Sequence, residues 1–175
     1  YDDRFNLEKV EKYNPITGET IESTAEYPAT CNNRKTCNRP SSITQENGIT
    51  IHYTYHPQSG NVSTITYPAV DGVQAQVRYY YEQFQARVKN SSGNYEYAPS
   101  IWKLVSIKRC MKLSLDYCNG GKDEYVKRFE YDTDNLLVSA IYEELGDKSI
   151  SMKTEFHYDK FGNLSWEDGP RAGNY

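Results

Sequence analysis

The chain has 175 residues, a formal net charge of −4 at pH 7 and a mean hydropathy of −0.84. Charges of both signs are interspersed without a basic stripe, and no apolar run is long enough to span a membrane. We therefore expect neither a nucleic-acid partner nor a membrane span. Aromatic residues make up 14% of the chain, with 17 tyrosines, so the low hydropathy does not indicate disorder. Such a composition suits half-buried β-strands better than helices.

Alternation of apolar and polar residues is the dominant pattern along the chain. In residues 50–55, Ile51 and Tyr53 fall on one face of an extended segment, and residues 150–158 repeat the alternation. Residues 78–89 come closest to a helical period, but their aromatic and β-branched residues favour a strand. The pattern therefore predicts strands with one face toward the core and the other toward solvent.

A short motif recurs five times, consisting of an aromatic residue, a polar turn, a Gly or Asn, and an apolar residue. We interpret each copy as one hairpin, in which tyrosine ends a strand and Asp, Asn or His opens the turn. Gly-Asn then reverses the chain, and Leu or Val re-enters the core. The copies begin at Tyr1, Tyr13, Tyr55, Tyr131 and Tyr158.

The final copy carries a resemblance to a known family. From Tyr158 to Leu164 it has Asp159, Gly162 and Asn163 in the positions of the signature Tyr-Asp-x-x-Gly-Asn-Leu. This signature defines the YD repeat, and the chain resembles the bacterial Rhs proteins that are built from that repeat. Because the motif recurs in a chain of β character, the resemblance extends over nearly the whole sequence.

The earlier copies diverge from the signature. One has His56 where the signature has Asp, together with one extra residue, and another lacks the Gly and aligns Leu136 with the final Leu. The cysteine-containing stretches 31–55 and 102–124 also resemble one subgroup of Rhs proteins. The further repeat residues that this alignment predicts are Tyr13, Gly18, Tyr55, Gly60, Asn61, Tyr131 and Asp132.

The resemblance implies a fold and a role. Rhs repeats wind a long sheet into a hollow shell, which in full-length relatives commonly encloses a carboxy-terminal toxin. No stretch here resembles the segment that precedes the toxin, so we expect the shell alone and no enzyme activity. The predicted fold is all-β, a curled antiparallel sheet of successive YD hairpins, in a single domain over residues 1–175 that is open at both ends. The expected partners are the rest of a longer Rhs polypeptide, or copies joined end to end, outside the bacterial cell or on its surface.

The four cysteines form two close pairs, Cys31 with Cys37 and Cys110 with Cys118. Close pairing of an even number is typical of local disulfides in an oxidising compartment. Free thiols and a metal site remain alternatives, although the internal spacings exceed the roughly two to four residues of structural zinc sites. We predict local disulfides, as expected for an exported protein.

Other polar residues offer weaker candidates for metal sites. His52 and His56 would be about 13 Å apart along a strand, too far to share one ion. Residues 132–135 have oxygen ligands at alternating positions, as a calcium loop requires, but they lack the glycine and bidentate Glu of an EF-hand. We therefore interpret them as a divergent repeat turn and expect no metal and no cofactor.

The remaining candidate residues are those for catalysis and for glycan binding. The sequence has no Gly-x-Ser-x-Gly elbow, and adjacent acids such as Asp123-Glu124 are expected to be solvated at turns rather than catalytic. Trp166 follows a repeat turn directly and would stack on a sugar ring if it is exposed. An extracellular adhesion module that binds glycan or another cell surface is therefore the alternative to a structural shell.

Overall fold

The structure is a computed structural model that describes residues 1–111 and 120–172. The described residues form strands and turns and contain no helix, which confirms the all-β prediction. The strands are β1 (Lys9–Tyr13), β2 (Thr20–Glu26), β3 (Ser42–Thr44), β4 (Thr50–Tyr55), β5 (Val62–Val70), β6 (Val73–Phe84), β7 (Arg87–Lys89), β8 (Tyr95–Tyr97), β9 (Ile101–Cys110), β10 (Glu124–Tyr131), β11 (Val138–Leu145), β12 (Ser151–Tyr158) and β13 (Leu164–Ala172).

Eleven strands form one sheet, in the order β1-β2-β3-β4-β5-β6-β9-β10-β11-β12-β13, and β7 and β8 form a separate two-stranded sheet. Apart from this insertion, neighbours in the sheet are neighbours along the chain, as expected for strands joined by hairpins. The strand pairs whose register is resolved are antiparallel. The prediction of an antiparallel sheet of successive hairpins is therefore confirmed.

The chain divides into two compact units, Tyr1–Val77 and Arg78–Tyr175. The predicted single domain over residues 1–175 stays a prediction.

The first unit contains β1 to β5 and separates hydroxyl and apolar side chains onto opposite faces. Thr24 pairs with Thr44, and Thr44 pairs with Thr50, so that the last two hydroxyl oxygens lie 2.8 Å apart. One residue further along, Ile43 pairs with Ile51, whose side chain is buried. Because successive side chains point to opposite faces, the alternation read from β4 places its apolar residues together.

The second unit contains β9 to β13 and carries a charged row across its strands. Arg128 pairs with Tyr142, which pairs with Lys153, so that these three residues share one face of β10, β11 and β12. The neighbouring row begins with Phe129 opposite Ile141 and lies on the other face. Cation and ring therefore stand side by side on one face, and the Phe129–Ile141 pair lies on the other.

Candidate functional site

The tyrosines of three repeat copies share one contact. Each ends a strand, is half-buried, and donates its hydroxyl hydrogen to a backbone carbonyl in the segment that precedes its own strand in the sheet. A hydrogen bond of this kind stabilises the ring orientation and satisfies the polar end of a packed aromatic side chain. The three bonds join Tyr55 to Pro40 (2.7 Å), Tyr131 to Leu104 (2.6 Å) and Tyr158 to Val138 (2.9 Å).

The first two copies of the motif lack this burial. Tyr1 and Tyr13 are 79% and 66% exposed. A tyrosine outside the motif, Tyr27, donates its hydroxyl to the Leu7 carbonyl at 3.1 Å. The tyrosine contact is therefore made by only some of the predicted repeat tyrosines. Tyr27 also makes it, but the sequence after Tyr27 lacks the turn motif, so the motif does not predict this contact.

Tyr131 has the most elaborate surroundings of these tyrosines. Its ring meets Phe84 edge to face, with 5.4 Å between the ring centres, and the Lys103 ammonium lies 4.1 Å from its ring centre. Lys103 also donates to the Leu136 carbonyl at 2.8 Å. Burial raises the pKa of Tyr131 and lowers the pKa of Lys103. A cation over an aromatic face therefore reinforces the tyrosine contact.

The polar residue after each motif tyrosine closes the turn. Asp159 accepts hydrogen bonds from the backbone N–H groups of Phe161 (2.8 Å) and Asn163 (3.0 Å) through Oδ1. His56 takes the same role in its copy, since its Nδ1 accepts from the Ser59 N–H at 3.2 Å. These side chains are therefore turn caps, which explains why Asp, Asn and His interchange at this position.

Asp132 caps its turn in the same way, which bears on the calcium alternative. Its Oδ1 accepts from the N–H groups of Asp134 and Asn135, both at 2.9 Å. Among the described residues, no group of three or more His, Cys, Asp or Glu side chains is arranged to hold a metal ion. His52 lies on β4 and His56 in the following turn.

The turn glycine has two unexpected substitutes. Gly18 and Gly60 adopt a positive φ, and Leu136 occupies the matching position with a φ of 58°. The alignment of Leu136 with the last residue of the signature is therefore wrong, because β11 begins only at Val138. Phe5 likewise stands in the glycine position of the first copy, with a φ of 62°.

One further turn of the repeat type lacks the leading tyrosine. The Asn90 N–H donates to the Asn94 carbonyl, and the Gly93 N–H donates to the Asn90 carbonyl, as Asp159, Gly162 and Asn163 do in the final copy. Gly93 and Asn94 follow Asn90 at the same spacing at which Gly162 and Asn163 follow Asp159. The motif without its leading tyrosine predicts this turn between β7 and β8.

A disulfide loop supports the Tyr55 turn. Cys31 and Cys37 are bonded, with an S–S distance of 2.04 Å, which confirms that pairing. Within the loop, the Asn33 amide donates to the Pro57 carbonyl at 2.9 Å, and the Lys35 ammonium donates to the Gln58 carbonyl. The loop therefore contacts the turn that follows β4.

The predicted Cys110–Cys118 pairing involves a residue outside the described part of the chain. Cys118 belongs to the range 112–119, so this pairing stays a prediction.

Glu124 is buried at the start of β10. Its side chain is 1% exposed, and its carboxylate accepts from the Arg78 guanidinium at 2.8 Å and from the Gly120 N–H at 3.0 Å. The expectation that this acid is solvated is therefore wrong. Gly146 packs so tightly here that an added Cβ would lie 2.7 Å from the Gly121 carbonyl oxygen. Adjacent acids at a turn carry no signal of such burial.

The charged row of the second unit is held by several partners. The Arg128 guanidinium lies 2.6 Å from Glu130, 3.6 Å from Glu144 and 3.8 Å from the centre of the Tyr142 ring. Tyr142 donates its hydroxyl to Glu130 at 3.2 Å. Arg128 and Glu130 line a groove of about 490 Å³ in this unit.

Trp166 stacks on His157 across β12 and β13. The two ring centres are 3.7 Å apart, the planes meet at 6°, and Trp166 is 52% exposed. The exposure required for sugar stacking is therefore present. Leu164 is 51% exposed and does not re-enter a core as predicted, because β13 is the last strand of the sheet and has its resolved partner on one side only.

No protein-family model matches the sequence, and no curated protein shows significant similarity to it. Within the described residues, no helix has the length and apolar character needed to cross a membrane. The resemblance to Rhs proteins therefore has no independent support from these comparisons.

Proposed function

We propose that this chain is a non-catalytic structural segment of an exported, Rhs-type YD-repeat protein. The observation that carries the proposal is the repeated hydrogen bond from a strand-ending tyrosine to the preceding backbone segment. In three motif copies, the tyrosine side chain joins its strand to the neighbouring segment of the sheet. A residue committed in this way stabilises a wall of hairpins and is unavailable for ligand chemistry.

The outer strands of the sheet, β1 and β13, are where we expect further strands to pair. In β1, five residues from Lys9 to Tyr13 pair regularly with β2, and all five are exposed. β13 is less regular, since its pairing with β12 shifts between Lys153 and Glu155. Unpaired edge groups recruit further strands, so β1 is the better edge for continuation into a longer polypeptide or another copy.

Sedimentation velocity tests the self-assembling form of the proposal. Wild-type protein is expected to associate in a concentration-dependent way. Glu11 alternates with residues whose N–H groups face β2, so its own N–H faces the open edge, and Glu11→Pro is expected to weaken association by removing that donor. Glu11→Thr is the matched control, because it also loses the carboxylate but keeps the backbone donor. A concentration-independent monomer with protected β1 amides in hydrogen exchange would contradict assembly through this edge.

Limited proteolysis tests the form of the proposal in which the repeat region encloses another segment of a longer polypeptide. A longer polypeptide that carries this sequence is expected to keep its enclosed segment resistant to protease until the repeat region is denatured. The disulfide between Cys31 and Cys37 fits the proposed location outside the cell or on its surface. Rapid cleavage of the enclosed segment with the repeat region still folded would count against a shell.

A second candidate function, adhesion to glycan, is favoured by one observation. The exposed stack of Trp166 on His157 offers an aromatic face at the last strand of the sheet. Glycan-array binding that disappears in Trp166→Ala, while His52→Ala retains it, would support adhesion. Equal binding by wild type and Trp166→Ala would exclude this platform.

A further inference from the structure

The groove of the second unit lies where two strands stop pairing. The ladder between β9 and β10 ends at Arg128 and Ser106, and both residues line the groove. β10 also has an irregular register between Glu130 and Tyr131, which turn toward the same opening. The end of β6 contributes Glu82 to the lining. A volume of about 490 Å³ is in the range of small-ligand sites.

The polar wall of this groove is held in place before any ligand arrives. Glu130 binds Arg128 at 2.6 Å and accepts the Tyr142 hydroxyl at 3.2 Å. Glu144, 3.6 Å from the same guanidinium, restrains it further. Fixed donors and acceptors lose little side-chain entropy on binding, so they favour recognition of a ligand.

The rest of the lining offers an acceptor and an aromatic surface. The Glu82 side chain is exposed, and its carboxylate makes no hydrogen bond or ion pair within the described part of the chain. Beyond it, Phe84 and Tyr131 form the edge-to-face pair at 5.4 Å, and both line the groove. Aromatic side chains of this kind contact the C–H face of a sugar ring.

The charge of the groove does not suit an anionic ligand. The lining includes two acids, Glu82 and Glu130, and one base, Arg128, whose guanidinium is already paired with Glu130 at 2.6 Å. The remaining carboxylate, that of Glu82, repels anions and can accept hydrogen bonds from hydroxyl groups. We propose that this groove binds a short neutral saccharide, whose hydroxyls pair with Glu82 and Arg128 while an apolar ring face lies on Phe84. The site is independent of the proposed shell function and separate from Trp166.

A glycan array of neutral oligosaccharides, followed by calorimetry on the best ligand, tests this proposal. Glu82→Gln and Phe84→Leu are each expected to weaken binding about fivefold or more, as expected for a lost hydrogen bond or ring contact. Glu167→Gln, a matched change of an exposed acid that does not line the groove, is expected to leave the affinity unchanged.

Circular dichroism establishes that each variant is folded before its affinity is compared. If Phe84→Leu does not fold, Glu82→Gln alone decides, because its side chain is exposed. Failure of wild-type protein to bind any neutral saccharide would overturn the proposal. So would binding that is lost in Trp166→Ala and kept in Glu82→Gln. Neither result affects the shell proposal, which the assembly and proteolysis experiments test.

Discussion

Gly60 lies against the backbone of Lys35 so closely that a Cβ added at position 60 would stand 2.6 Å from the Lys35 carbonyl oxygen. Lys35 belongs to the loop closed by Cys31 and Cys37. The glycine of this repeat copy is therefore required twice, for its φ of 75° and for the space that the disulfide loop occupies. A motif glycine and a disulfide loop that are separated along the chain therefore pack against each other.

Gly60→Ala is expected to destabilise the protein more than Gly48→Ala. Both glycines have a positive φ, 75° and 79°, so the backbone strain is matched, but nothing lies within 4 Å of a Cβ at position 48. The difference in free energy of unfolding should be about 1–3 kcal/mol, the usual cost of overpacking. Urea unfolding measures it, and equal losses in the two variants would show that the contact with Lys35 is unimportant.

Tyr158→Phe is expected to reduce the free energy of unfolding by about 1 kcal/mol. The variant keeps the ring but loses the hydrogen bond to the Val138 carbonyl, which is 2.9 Å long. Tyr13→Phe is the control, because Tyr13 is 66% exposed and is expected to change stability by less than about 0.5 kcal/mol. Indistinguishable denaturation midpoints would remove the main support for the structural proposal.

Glu124→Gln is expected to cost about 3 kcal/mol or more, because it removes the carboxylate charge that the Arg78 guanidinium binds at a buried position. Glu46→Gln removes an exposed partner of Lys12 and is expected to cost less than about 1 kcal/mol. A double-mutant cycle with Arg78→Ala isolates the coupling. A coupling near zero would mean that Glu124 is held by the Gly120 N–H alone.

Acid is expected to weaken the first turn. Hydrogen bonds from Asn6 and Arg4 lower the pKa of Asp2 to about 2. A carboxyl group with a depressed folded pKa stabilises the fold above its unfolded pKa, and this contribution is lost as the pH falls from about 4 to about 2. Similar bonds from Asn163 and Phe161 lower the pKa of Asp159.

Thermal unfolding across this pH range provides the measurement. Asp2→Asn keeps an acceptor oxygen but cannot titrate, so its stability should fall less between about pH 4 and pH 2 than that of the wild type. The neighbouring Asp3→Asn, at an exposed position, should follow the wild-type profile. Identical profiles for Asp2→Asn and wild type would contradict the depressed pKa.

Much of the local architecture could be predicted from the sequence by itself. Period-two alternation placed Ile51 and Tyr53 on one face of β4, and the Gly and Asn spacing located the turn at Gly162. These features are local, because strand alternation and positive φ depend on neighbouring residues alone. The close spacing of Cys31 and Cys37 was similarly sufficient for their pairing.

Only the tertiary structure decided the rest. Leu136 occupies a glycine position and is buried, and Glu124 is buried because Arg78, 46 residues away, supplies its counter-charge. Leu164 is exposed because its strand is the last of the sheet, although its motif is the most complete. Burial and charge pairing depend on which distant segments of the chain come into contact. The amino-acid sequence of a repeated motif is the same whether its hairpin lies inside the sheet or at its edge, so the motif alone does not predict burial.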